Sequence, residues 1–393
     1  MVHRRLLATV MFLMLVLPLF SSDAPDIRLV ILGQDDPVYV WFGHSALMVD
    51  DSLNGDALVY DYGVFDFEQE QFFLNFAQGR LIYSKLASSA RRQVYAAQMQ
   101  QRDMRVITLN LPQEKRIKMA FFLNEEVQPG RNTYLYHHYE DNCATRIRDI
   151  IDDALGGAFY QWSSAQEGRM SYRGHFSRHA GNSYPMLWLL NFLQGPEIDK
   201  PITRWDEMFL PLELEQAVLE FPGLAGETVT VLEFPETRSL IPETYTSPWP
   251  WFLLTGILVS GLLLFSRRYL RTYGIIQAVL GLLFGLLGTG LLVMMWFTDH
   301  EVTRGNLNAL MVNPLWFALI PWGIAVARGK IYAMKHIVLF WRILSLAGAA
   351  VLIIRLFMEY PQGNQLTLAL LLPILFVQAQ WHRLRIPKRV KLT

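Results

Sequence analysis

The stretch that decides the reading runs from Tyr134 to Leu155, YLYHHYEDNCATRIRDIIDDAL. It holds Cys143, the one cysteine of a 393-residue chain. Ile147, Ile150, Ile151 and Leu155 recur at the spacing of one buried helical face. Asp141 or Asn142 supplies N-cap chemistry in front of them, so the pattern predicts a helix opening at the cysteine. A thiol there meets the positive end of the helix dipole and free backbone N–H groups, which favour the thiolate. Arg146 and Arg148 add positive charge nearby. The competing reading is a small buried hydrophobe, the usual fate of a free cysteine. The segment alone leaves the two level.

Hydrophobic residues make up 52% of the chain and charged residues 18%, too apolar for an ordinary soluble protein. Lys plus Arg total 35 and Asp plus Glu total 35, so no overall field points to nucleic acid or to an acidic partner. One cysteine forbids an internal disulfide, and an unpaired thiol outside the cytoplasm signals reactivity. Residues 1–22 read as a signal peptide or N-terminal anchor: Arg4 and Arg5 precede an apolar run from Leu6 to Phe20, and the lack of an A-x-A site leaves cleavage open.

Residues 23–247 have the composition of a folded extracytoplasmic domain. Val38 to Val49 and Ala57 to Tyr62 predict a hairpin turning at Asp50 to Gly55, with His44 near the middle of its first arm. Phe72, Phe73 and Phe76 form an aromatic helical face ended by Gly79. Leu81 to Leu86 and Met104 to Leu111 read as strands, and Gln113 to Val127 as a helix. Beyond Leu155 the chain reads as loop through His179. Tyr184 to Leu193 is predicted as a short apolar helix, another helix starts near Pro211, and Val229 to Phe234 is an edge strand.

Residues 248–393 contain five apolar runs, near 250–266, 274–297, 312–327, 337–358 and 366–381. A bilayer-spanning helix needs about 20 such residues. Arg267, Arg268 and Arg271 follow the first run, Arg328, Lys330 and Lys335 the third, and Arg383, Arg385, Lys388, Arg389 and Lys391 the fifth. The loops between them are poor in Lys and Arg. The positive-inside rule therefore predicts five spans, a cytoplasmic C-terminus and an external catalytic domain. Arg342 and Arg355, near the ends of the fourth run, are read as snorkelling, as pairing or as meeting a headgroup.

A Cys–His site needs a base within reach of the sulfur and a third group to orient that base. Of His44, His137, His138, His175 and His179, only His44 follows a glycine inside a strand-like apolar stretch. Cys143 and His44 are the candidate catalytic pair. Asp61 or Tyr62, on the partner strand, is a candidate to orient His44, with a surface role the alternative for Asp61. Asn142 either caps the helix or lends its amide to an oxyanion hole. His300, Asn306 and Asn308 belong to an external loop that meets lipid headgroups or the underside of the domain, or is simply solvated. His175 and His179 lie four apart in a predicted loop without the glutamate of an HExxH helix, so surface histidines are expected and no metal site.

The order of elements, a GH-containing strand ahead of an NC-helix, is similar to the circularly permuted relatives of the NlpC/P60 fold. WFGHSALMV, VYDYGVFDF, FAQGRLIY and YEDNCATRIRDII, in that order, resemble the periplasmic domain of the Lnb family of lipoprotein N-acyltransferases. TRWDEMFLP at 203–211 and DHEVTRGNLNALMVNPL at 299–315 look like its later landmarks. The resemblance implies an α+β, permuted papain-like domain followed by an all-α transmembrane domain of five helices in the bacterial inner membrane. It implies catalytic Cys143 and His44, a phospholipid acyl donor, and the N-terminal amine of a diacylated lipoprotein as acceptor. A membrane-anchored thiol hydrolase, cutting peptide or lipid amide bonds with the same dyad, is the alternative. Neither reading calls for a cofactor.

Overall fold

A computed structural model describes residues 24–50, 57–68, 70–234, 241–358 and 360–380. The N-terminal targeting segment, the Asp51 to Gly55 part of the predicted turn and the basic tail from Arg383 lie outside these residues. The chain divides into two units that do not follow its linear order. The first comprises residues 1–65, 83–163 and 208–238; the second comprises 66–82, 164–207 and 239–393.

Seven strands, β1 (Asp26–Leu32), β2 (His44–Asp50), β3 (Leu58–Val64), β4 (Leu81–Ser89), β5 (Met104–Leu109), β6 (Thr133–Tyr136) and β7 (Ala225–Leu232), form one sheet in the order β6-β4-β3-β2-β1-β5-β7. Neighbours from β4 through β7 on the β1 side pair antiparallel. Helices α1 (Phe72–Gln78), α2 (Ala90–Met99), α3 (Gln113–Glu126), α4 (Cys143–Ala154), α5 (Ala158–Ser164), α6 (Tyr172–His179), α7 (Tyr184–Leu193), α8 (Arg204–Glu207) and α9 (Pro211–Glu220) complete the stretch before the linker. Val30 and Leu32 of β1, Ala46 and Met48 of β2, Val59, Met104 and Val106 share one apolar cluster with Ala97 of α2. The alternate residues Leu29, Ile31 and Leu47 are buried on the other face, as the two-residue period of a strand requires. Ile147 and Ile151 of α4 are fully buried, the face that the isoleucine spacing predicts.

β2 starts later than the hairpin pattern suggests. Val38–Val40 is a short 3-10 turn, and His44 is the first residue of the strand rather than its middle. Gly43 causes this. Its φ of +74° is left-handed, and a Cβ there would sit 2.9 Å from the Leu32 carbonyl oxygen. The tight turn delivers His44 opposite Leu32, the last residue of β1.

The second unit holds α10 (Trp249–Ser266), α11 (Leu270–Phe297), α12 (Asn308–Met311), α13 (Leu319–Ala327), α14 (Met334–Phe357) and α15 (Gln365–Ala379). Among the described residues four helices are long and apolar enough to cross a bilayer: Trp249–Ser266, Leu270–Phe297, Asn308–Ala327 and Ile331–Phe357. The fifth predicted span is a helix of 15 residues, short of that requirement. Helices α11 and α13 touch backbone to backbone, because a Cβ on Gly274 would lie 2.4 Å from the Gly323 carbonyl oxygen. Such close approach lets dispersion hold helices together where lipid removes the hydrophobic drive. Trp341 Nε1 donates to Gln277 Oε1 at 2.9 Å, and Arg267 Nη2 to Gln378 Oε1 at 2.9 Å, so these buried polar groups find partners inside the bundle. Arg355 Nη1 donates to Asn364 Oδ1 at 3.1 Å, which favours pairing over snorkelling for that arginine.

Gly43→Ala adds a Cβ against the Leu32 carbonyl in a left-handed backbone, and strain of this kind costs about 1–3 kcal/mol. Thermal unfolding of the variant in detergent is expected at a clearly lower midpoint. An unchanged midpoint would show that the turn does not need glycine.

Candidate active site

Asn142 is the N-cap of α4, and every polar atom of its side chain is committed. Oδ1 accepts from Ala144 N at 2.8 Å and Thr145 N at 3.0 Å. Nδ2 donates to the carbonyls of His138 at 2.8 Å and Phe209 at 3.0 Å. Its backbone N–H donates to Thr145 Oγ1 at 2.7 Å, closing a capping box. Asn142 therefore caps. Its amide has no N–H left for an oxyanion. Cys143 follows as the first residue of the helix and is half-buried.

His44 Nε2 donates to Asp61 Oδ1 at 3.0 Å. Asp61 comes from β3, where it pairs with Ala46, two residues along β2 from the histidine. Side chains two apart on a strand share a face, so the carboxylate and the imidazole project together. With Nε2 engaged, Nδ1 is the nitrogen left for the sulfur, and His44 hydrogen-bonds to Cys143. The other oxygen of Asp61 accepts from Gln93 Nε2 of α2, and the same amide reaches Ser88 Oγ at 3.2 Å. Tyr62, one residue further, projects to the opposite face. Its hydroxyl is buried without a hydrogen-bond partner among the described residues. Asp61, not Tyr62, contacts the histidine.

The electrostatics favour a charged pair. Burial of the sulfur opposes ionisation, but the charge and hydrogen bond of His44, with hydrogen bonds from Ser45, lower the thiol pKa. Burial likewise opposes charge on His44, yet the thiolate and Asp61 push the ring up to about 10. The lowered thiol contributes stability that is full above its unfolded pKa and lost as pH falls through the folded one. The raised histidine contributes stability that is full below its unfolded pKa and lost as pH rises through about 10. Each charge thus favours the other, and the pair is shifted toward thiolate and imidazolium.

The remaining sequence candidates lie elsewhere. Asn306 and Asn308, read as meeting lipid headgroups, the underside of the domain or water, are 2% and 0% exposed and donate to the Phe192 carbonyl at 2.8 and 3.0 Å. Gln362 Nε2 donates to Asn306 Oδ1 at 2.6 Å and Asn364 Nδ2 to Asn308 Oδ1 at 3.2 Å. These groups tie the loop to the end of α7, so carbonyls and amides replace the headgroup contact. His300 Nε2 donates to the Phe76 carbonyl at 3.0 Å. His175 and His179 are not surface residues. They lie on α6 at 0% and 2% exposure, and His175 Nε2 contacts Glu207 Oε1 at 2.6 Å. Burial opposes the Glu207 charge, but His175 and the backbone N–H groups of Met170 and Arg169 lower its pKa. Among the described residues no cluster of three or more His, Cys, Asp or Glu is placed to hold a metal ion. Gln93 had no signal in the sequence; a glutamine within an amphipathic helix looks like solvated surface.

Fold and site together define a membrane-anchored protein that carries a cysteine–histidine–aspartate constellation on an antiparallel sheet. The family model for the Lnb N-terminal periplasmic domain matches residues 20–177, and that for the Lnb transmembrane domain matches residues 241–389. The chain belongs to the Lnb family. It is accordingly a membrane enzyme with a periplasmic N-terminal domain, of a kind that modifies lipoproteins. No curated protein and no solved structure matches the chain.

The charged pair is directly measurable. Alkylation of Cys143 by iodoacetamide is expected to run near its maximum at neutral pH and to fall in acid. His44→Ala should move the half-point of this profile up toward the free-thiol value of about 8.5. Profiles that superimpose would show that His44 does not set the thiolate.

Proposed function

We propose that the protein is a thiol-dependent lipoprotein N-acyltransferase, with Cys143 as nucleophile, His44 as proton carrier and Asp61 as the group that orients His44. The observation that carries this reading is the continuous line from the carboxylate of Asp61 through His44 to a thiol at a helix start. The order of a strand-borne histidine before a helix-borne cysteine supports a permuted papain-like, NlpC/P60-like core for the periplasmic domain.

The thiolate attacks the ester carbonyl of a membrane glycerolipid, for which a phospholipid is the donor expected from the sequence. Attack converts the carbonyl oxygen to an oxyanion. Ala144 and Thr145 have given their N–H groups to Asn142, so the Cys143 N–H is the first-turn donor left for that charge. The tetrahedral adduct collapses, the C–O bond breaks, and the leaving alkoxide takes a proton from the His44 imidazolium. A thioester on Cys143 and a lysolipid result. The N-terminal amine of a lipid-modified cysteine then attacks the thioester and loses a proton to His44, and the C–S bond breaks to regenerate the thiolate. Asp61 holds the ring so that the same nitrogen faces the leaving alkoxide and then the incoming amine, and Gln93 fixes the carboxylate. Atoms and charge balance without a cofactor.

The topology belongs to this proposal too. Asp299 N, just after α11, donates to the Gln78 carbonyl at 2.8 Å, so the loop that follows this span lies with residues 72–78, inside the stretch that matches the periplasmic domain. Arg267, Arg268 and Arg271 flank the other end of the same helix. That arrangement supports the bacterial inner membrane as location and a cytoplasmic C-terminus.

Mass spectrometry of a lipoprotein N-terminus, after incubation with the reconstituted protein, tests the reading. Transfer from phospholipid adds one acyl chain. Transfer from the acceptor's own glyceryl ester leaves the mass unchanged and moves the chain to the amine. Cys143→Ala should abolish either product, and Asp61→Asn should slow it by roughly 10²–10⁴-fold. Release of free fatty acid with an unmodified amine would replace transfer with hydrolysis, and full activity in Cys143→Ala would overturn the mechanism.

A further inference from the structure

Helix α1 lies in the segment 66–82, which belongs to the same unit as the membrane helices although it precedes them by more than a domain's length of chain. Its sequence, FFLNFAQ, carries no charge. Phe72 is buried at 8%, but Phe73 is 70% exposed, Leu74 54%, Phe76 48%, and the preceding Phe67 49%. Phe67 packs on Phe72 at 5.2 Å and on Phe73 at 6.4 Å between ring centroids, and Phe72 stacks on Phe76 at 6.2 Å. The aromatic rings are thus one preformed apolar surface rather than scattered side chains.

The helix is fastened to the end of a span. Gly79 ends it with a φ of +80°, and a Cβ there would fall 2.7 Å from the backbone of Asp299 and His300. Asp299 N donates to Gln78 O at 2.8 Å, His300 Nε2 donates to Phe76 O at 3.0 Å, and Arg80 Nε donates to Asp299 Oδ2 at 2.8 Å. Immediately before Asp299, at the end of α11, Trp296 and Phe297 are 74% and 81% exposed. A helix of 28 residues measures about 42 Å, against about 30 Å of bilayer hydrocarbon, so its last turn reaches the interfacial layer where Trp and aromatic rings collect.

We infer that α1 is an interfacial membrane anchor: Phe67, Phe73, Leu74 and Phe76 insert into the headgroup–acyl boundary beside Trp296 and Phe297. A bilayer is the occupant because the surface is uncharged, continuous in the chain fold with the exposed aromatic end of a span, and locked to that end by hydrogen bonds to the Phe76 and Gln78 carbonyls. An amphipathic helix lying in the interface buries its apolar face in this way. Part of the periplasmic stretch would therefore be membrane-embedded. The inference stands whether or not the acyl-transfer reading holds, since its test measures position and not turnover.

The test uses the full chain with Cys143→Ala, reconstituted in nanodiscs of phosphatidylethanolamine and phosphatidylglycerol. Phe73→Cys or Leu74→Cys carries an environment-sensitive nitrobenzoxadiazole label, and Lys118→Cys on exposed α3 serves as the aqueous control. Both interfacial labels are expected to show blue-shifted emission, strong quenching by lipids spin-labelled high on the acyl chain, and little quenching by iodide; the control should show the reverse. Two labels guard against one substitution disturbing the helix. Iodide-accessible, unshifted emission at both positions would overturn the anchor. A blue shift that lipid quenchers leave untouched, and that depends on protein density in the disc, would overturn it in favour of contact between copies.

Discussion

The side chain of Asn142 is the node on which the position of the nucleophile depends. Four hydrogen bonds leave its two polar atoms, two into the first turn of α4 and two to the carbonyls of His138 and Phe209. A cap alone is worth about 1 kcal/mol. The larger effect is what its loss would expose, since each buried donor or acceptor left unsatisfied costs roughly 1–3 kcal/mol. The node joins the segment before the helix, the helix itself and the chain entering α9 at one point. Cys143 is one bond from that point, so the sulfur is placed by backbone geometry and not by its own weak hydrogen bonding.

Given a fixed sulfur, the charge pair decides the chemistry. Desolvation opposes both the thiolate and the imidazolium, and each alone would be neutralised by burial. Together, with Asp61 behind the ring, each lowers the cost of the other. Gln93 matters for the same reason. A carboxyl group at 6% exposure needs hydrogen-bond partners for both oxygens, and one partner is the ring while the other is the amide. The positioning chain therefore runs through three elements, α2, β3 and β2, before it meets α4.

Much of this was legible in the sequence, for identifiable reasons. Isoleucine spacing and an Asx cap act locally, so α4 and its opening at Cys143 could be read directly. Gly43 before a β-rich run marked His44, although the turn it makes shortens the strand. What depends on distant partners was illegible. β1 lies inside the sheet, between β2 and β5, but Asp26–Leu32 carries no turn signal of its own. The segment Tyr172–His179 looks like loop because it is polar; Ser171 caps it, and buried contacts from Arg173 to Asp199 and His175 to Glu207 stabilise it. Asn306 and Asn308 look like solvated loop for the same reason. Their partners are carbonyl and amide groups far along the chain.

These corrections point one way. The amides of Asn306, Asn308 and Gln362 and the guanidinium of Arg173 satisfy the carbonyls of Phe192, Asn191, Gln194 and Gly195, where α7 stops and its last carbonyls would be orphaned. In a low-dielectric setting an unsatisfied helix end is costly, so the loops between spans carry amides where a soluble protein would rely on water. The same logic explains Gly79 and Asp299, which join α1 to the end of α11 through the backbone. Segments that a linear reading assigns to the soluble half, 66–82 and 164–207, are held by the polar caps of the membrane helices. The boundary between the two halves of this chain is therefore set by where backbone groups find partners, and not by where the hydrophobic runs begin.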